Sequence, residues 1–176
     1  MMRGFRSFVL SLVLGCFAPA VDAAQMKVPF NFQWGESEAR VEKSIVGSKA
    51  RVIERKTVQN RHVLAAEGIP QKSLQRTLFY FSNDSLNEIE LQYGDPSWDS
   101  NKYDIYFDDV RRNVDLKYGP GRIIVREKNR DPDSDILHTL IGYQWTQGYM
   151  CLRLFLFTSE KTGSSHRVLS LHYKEI

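Results

Sequence analysis

Hydrophobic and polar residues alternate along much of the chain, and the alternation is clearest at Ile89, Leu91 and Tyr93, which interleave with Glu88, Glu90 and Gln92. A period of two places successive side chains on opposite faces of an extended strand, so one face here is expected to be buried and the other wet. The same reading predicts strands over 50–57, 62–68, 74–81 and 86–93, with Ser82-Asn83-Asp84-Ser85 as a turn. Ahead of them the period changes. Ser37 stands where a helix N-cap is wanted, Glu38 begins the first turn, and Gly47 offers a stop. Val41 and Ile45, four apart, fall on one face of that short helix.

The pattern then recurs. Phe107, Val110, Val114 and Tyr118 mark a helix over 104–118 that ends at Gly119-Pro120, and strands follow over 122–128, 137–147, 149–158 and 167–175. Three segments also match in order. Arg51-Val52-Ile53-Glu54-Arg55-Lys56 resembles Arg122-Ile123-Ile124-Val125-Arg126-Glu127-Lys128 with one residue inserted; Arg76-Thr77-Leu78-Phe79-Tyr80-Phe81 resembles Arg153-Leu154-Phe155-Leu156-Phe157-Thr158; and Ile89-Glu90-Leu91-Gln92-Tyr93 resembles Leu169-Ser170-Leu171-His172-Tyr173. The expectation is an α+β protein of two tandem repeats, 24–94 and 104–176, joined by a linker over 95–103. Each repeat would be a short helix packed on a four-stranded antiparallel meander, and one continuous concave sheet is one way of joining them.

The N-terminus does not fit that scheme. Arg3 and Arg6 precede an apolar run over 8–17 that is too short to span a bilayer, Pro19 breaks it, and Val21-Asp22-Ala23 supplies small residues around a cleavage point. These features predict residues 1–23 as a signal peptide cut after Ala23, and hence a periplasmic or secreted protein. Val13-Leu14-Gly15-Cys16 supports an alternative, an outer-membrane lipoprotein lipidated at Cys16. Cleavage after Ala23 leaves Cys151 as the sole cysteine, so no internal disulfide is available and an apolar core must hold the fold. Within Met150-Cys151-Leu152, Cys151 reads as a small buried residue.

Composition narrows the function classes. A chain 42% hydrophobic and 26% charged is neither disordered nor fibrous, and a formal charge of +3 without a basic stripe does not point to nucleic acid. Catalytic chemistry finds little support. His62, His138, His166 and His172 are dispersed and read as solvated strand residues; His166 and His172, about 20 Å apart along a strand, cannot share one ion. Gly163-Ser164-Ser165-His166 reads as a turn, and Asp131, Asp133 and Asp135 lack the Gly and Glu of a calcium loop. Asp104, Asp108 and Asp109 fall where they would complement the dipole of the second helix, and Gly119-x-Gly121 precedes a strand rather than a helix. Asn83-Asp84-Ser85 is a formal glycosylation sequon, relevant only in a eukaryotic host. No catalytic residue, metal ligand or cofactor is assigned.

The remaining signal lies on the sheet. The strand carrying Tyr80 and its counterpart carrying Arg153, Phe155 and Phe157 are apolar on both faces, although a helix would cover only one. Either both faces are partly buried, or Tyr80, Arg153, Phe155 and Phe157 form a partner-binding surface of the aromatic-plus-Arg kind that interfaces favour. Trp34, Trp98 and Trp145 default to core or hinge positions.

The short pattern Gly35-x-Ser37-x-x-x-Val41-x-x-x-Ile45-x-Gly47, followed by a meander, resembles the helix signature of the BamE/SmpA type of small outer-membrane proteins, and its tandem form resembles the β-lactamase inhibitory proteins. That resemblance implies helix-plus-four-strand units and protein binding in the envelope. The combined expectation is an exported, non-enzymatic protein that binds another envelope protein through its sheet. A lipoprotein with an assembly role is the alternative, and a hydrolase is a more distant one.

Overall fold

The computed structural model describes residues 25–176, so the expected signal peptide, the cleavage expected after Ala23, and Cys16 lie outside the described residues. A short 3-10 turn (Pro29–Asn31) leads into α1 (Glu38–Gly47). Ser37 caps α1 as expected, accepting a hydrogen bond from the backbone N–H of Arg40 at 3.4 Å. Gly47 is its last residue, as expected, but the left-handed turn falls two residues later. Ser48 donates its hydroxyl to the Ile45 carbonyl at 2.7 Å, and Lys49 takes the left-handed turn (φ 66°), so terminal carbonyls are met without a glycine.

Four strands follow: β1 (Arg51–Val58), β2 (Arg61–Glu67), β3 (Leu74–Ser82) and β4 (Ser85–Tyr93). Next comes α2 (Ser100–Tyr118), then β5 (Arg122–Arg130), β6 (Leu137–Gln147), β7 (Met150–Lys161) and β8 (Ser164–Glu175). α2 begins inside the stretch expected as linker, because Asp99 accepts from the N–H of Lys102 at 2.8 Å and starts the helix there. Asp108 and Asp109 are therefore mid-helix rather than at its N-terminal end. They pair with Arg111 (3.6 Å) and Arg112 one turn on.

The expected architecture of two helix-plus-four-strand repeats is overturned. All eight strands form one antiparallel sheet in the order β1-β2-β3-β4-β8-β7-β6-β5. The reason is the seam between β4 and β8, which runs from Glu88 opposite Lys174 to Tyr93 opposite Leu169. Separate meanders would each leave an inner strand with unpaired amides and carbonyls, which the seam satisfies. It also joins the apolar layers. Ile89, Leu91 and Tyr93 belong to the same buried cluster as Leu169 and Leu171, together with Val41 and Ile45 of α1 and Phe107 and Val114 of α2.

Both helices thus lie against one side of the sheet. A second, smaller cluster on the opposite side (Val63, Ala65 and Leu78, with Ile53 and Tyr80) consists of strand residues alone. The outermost strands, β1 and β5, each carry a bulge, between Val52 and Glu54 and between Ile123 and Val125. With Arg51, Arg55, Lys56, Arg126, Lys128 and Arg130 they present charged, irregular edges that resist pairing with another chain. Among the described residues no helix is long and apolar enough to cross a membrane.

Candidate binding face

Residues directly opposite each other in an antiparallel ladder point to the same face, so the register identifies which side chains share the side without helices. One row runs Tyr80, Glu88, Lys174, Cys151 across β3, β4, β8 and β7. The next runs Leu78, Glu90, His172, Arg153, Gln144, Arg122 from β3 to β5. A third holds Gln92, Ser170, Phe155 and Gly142, and a fourth Val168, Phe157 and Leu140. All four residues singled out from sequence, Tyr80, Arg153, Phe155 and Phe157, therefore lie on one face. Each is only half-buried.

The centre of this face is a hydrogen-bonded network. Glu88 accepts from Arg61 at 2.7 Å and lies 3.0 Å from Nδ1 of His172, whose Nε2 is 3.0 Å from the Ser170 hydroxyl. With its proton on Nδ1, the ring donates to Glu88 and accepts from Ser170, which satisfies both nitrogens. Glu90 accepts from the Tyr80 hydroxyl at 2.5 Å and from Gln92 at 2.7 Å, and the Arg61 guanidinium lies over the Tyr80 ring, 4.5 Å from its centroid. The acids had been expected on a wet face and His172 in solvent. Instead, Glu88 and Glu90 are 8% and 7% exposed, because this face is crowded by cross-strand partners from β2 and β8. Burial raises the Tyr80 hydroxyl well above its usual range, and the Glu90 carboxylate adds to the shift. Burial pushes Glu88 upward too, but its bonds to His172 and Arg61 outweigh that and hold it at about 2.

The network also sets the surface side chains. Arg153 donates through Nε to Gln144 at 2.9 Å. Phe155 meets the His172 ring edge-to-face at 5.4 Å and lies against Gly142, where a Cβ would come within 2.6 Å of the phenyl ring. Gly142 is the slot that lets Phe155 lie down on the sheet. Phe157 stacks on His138 at 5.8 Å. Cys151 is buried on the same face, 1% exposed. His62 and His166 remain exposed.

Ser170, His172 and Glu88 have the hydroxyl–imidazole–carboxylate connectivity of a nucleophilic triad, and sequence reading missed them because β4 and β8 are far apart in the chain. Acyl transfer also needs donors for a developing oxyanion. Ser170 is 6% exposed, and its strand is paired on both sides, to Gln92 of β4 and to Phe155 of β7, so the neighbouring amides are spent in the ladders. Among the described residues no three His, Cys, Asp or Glu side chains cluster closely enough to hold a metal ion.

The fold and face together define a two-layer protein with one eight-stranded antiparallel sheet, helices on one side and a polar–aromatic surface on the other. No family model, curated protein or solved structure matches this chain.

Proposed function

We propose that this chain is an exported, non-enzymatic protein of the periplasm that binds another envelope protein through the helix-free face of its sheet. The supporting observation is that Tyr80, Arg153, Phe155 and Phe157 share that face half-exposed, each held by a neighbour: Glu90, Gln144, Gly142 with His172, and His138. Tyr, Phe and Arg are enriched at interfaces, and side chains already held in place lose less entropy on binding. Export rests on the N-terminal pattern alone.

Affinity capture from intact envelopes tests the reading, with an Arg153→Ala/Phe155→Ala double variant as the control. A partner retained by the native chain and lost by the variant supports it; unchanged capture of every partner sinks it. Mass spectrometry of the mature N-terminus separates a soluble binder, beginning at Ala24, from a lipoprotein diacylated at Cys16. A second reading, hydrolysis, is favoured by the Ser170–His172–Glu88 connectivity. It predicts labelling of Ser170 by a fluorophosphonate, and the binding reading predicts none.

A further inference from the structure

The acids of the helix-free face are mostly spent within the fold. Glu88 is taken by Arg61 and His172, and Glu90 by Tyr80 and Gln92. Glu54 pairs with Lys56 at 3.2 Å, and Glu67 pairs with Arg51 at 3.1 Å and Arg76 at 3.8 Å. Several cations of the β5–β8 half are not matched in this way: among the described residues Arg122, Arg153, Lys161 and Lys174 on this face have no acidic partner. Lys174 stands directly opposite Glu88 in the ladder, yet both Glu88 oxygens are already engaged. Arg153 uses Nε on Gln144, which leaves its two terminal nitrogens as a fork not engaged by any acid among the described residues. Lys174 and Arg153 lie on neighbouring strands one row apart, and Arg122 extends the row of Arg153 to the sheet edge.

We infer that the partner reaches this face through an acidic segment, with one carboxylate seated between the Arg153 fork and the Lys174 ammonium. The inference rests on the reading of this face as a protein-binding surface and adds the chemistry of what it binds. A guanidinium fork fits a carboxylate bidentately, and the Phe155 ring two residues along β7 offers apolar surface beside it. A nucleic acid is a poorer fit. The unpaired cations are few, aromatics and Gln144 interrupt them, and Glu127 on the same face of β5 would repel a long polyanion.

The test selects a displayed library of short random peptides on the full chain, then measures retention on Arg153→Glu/Lys174→Glu and on Phe155→Ala. Circular dichroism and urea midpoints establish that each variant is folded. If Phe155→Ala is too unstable, Phe157→Ala, whose ring leans on His138, takes its place. The expected result is selection of Asp- and Glu-rich peptides that both variants release. Charge reversal should weaken them about tenfold or more and turn selection toward Lys and Arg. Peptides released by the aromatic variant but without acidic bias, or indifferent to charge reversal, overturn the acidic partner and leave the face standing. Peptides that ignore the aromatic variant overturn the face itself. Absence of selected peptides overturns the inference, and retention of phosphatidylglycerol vesicles through Arg153 would reassign the cations to lipid.

Discussion

Glu88 is where burial and hydrogen bonding compete most directly. Left alone in its surroundings the carboxyl would favour its neutral form, but His172 and Arg61 keep it ionised and move it from the usual 4.5 to about 2. A carboxylate with a depressed folded value contributes stability that is present above 4.5 and lost as pH falls through about 2. That contribution is at most roughly 3 kcal/mol, less after solvent screening. The urea midpoint should therefore fall as pH is lowered across this window, and Glu88→Gln should flatten the slope. Some slope will remain, since hydrogen bonds from Ser97 and Ser134 hold Asp95 and Asp131 low as well. His172→Ala strands Glu88 and Ser170 and should cost about 2–3 kcal/mol in urea unfolding at neutral pH. At Gly142 the expected cost of an added methyl is about 1–3 kcal/mol, because the Phe155 ring must move. A double-mutant cycle checks this, and Gly142→Ala should be milder when Phe155 is already Ala. The alternation of single strands suffices to find Tyr80, Arg153, Phe155 and Phe157. It does not reveal the polar centre, since Arg61 and His172 reach Glu88 from 27 and 84 residues away.

At the scale of elements, the end of α2 is fixed to the sheet by one tryptophan. Gly119 (φ 86°) closes the helix with its N–H on the Asp115 carbonyl at 2.9 Å. The Asp115 carboxylate then accepts from the Gly121 amide at 2.8 Å and from the Trp145 indole at 3.0 Å, and that indole also reaches the Gly119 carbonyl at 3.0 Å. Gly121 lies so close under the indole that a Cβ there would approach it to 2.4 Å. Trp145→Phe keeps most of the apolar contact and removes the donor, so it should cost about 1–3 kcal/mol by urea denaturation, largely by leaving Asp115 short of a partner. The stop at Gly119 is legible in sequence, as is the apolar stripe of α2. Its start is not, because an apolar stripe marks where a helix packs, whereas Asp99 begins this one ahead of its first packed residue.

For the whole molecule, the β4–β8 seam makes one cooperative structure of what local patterns present as two. The two meanders share a continuous apolar layer under both helices, so neither has a core of its own to melt. Urea unfolding should then show a single transition. In each of two variants that keep only Trp34, ahead of α1, or only Trp145, on β6, the fluorescence midpoint should coincide with that same variant's far-UV circular dichroism midpoint. Two separated midpoints would contradict the shared core.

By itself, the sequence determined the order of strands and helices, the first turn of α2 aside, and which residues of each strand share a side, because both follow from backbone periodicity, a property of neighbours in the chain. Only the tertiary structure decided that β8 closes against β4, that the acids of β4 are buried rather than wet, and that His172 and Arg61 hold Glu88 ionised. Strand partners are chosen by the need to satisfy amides and carbonyls along every inner edge. Alternation records which way a side chain points, and it carries no information about which distant strand will lie beside it.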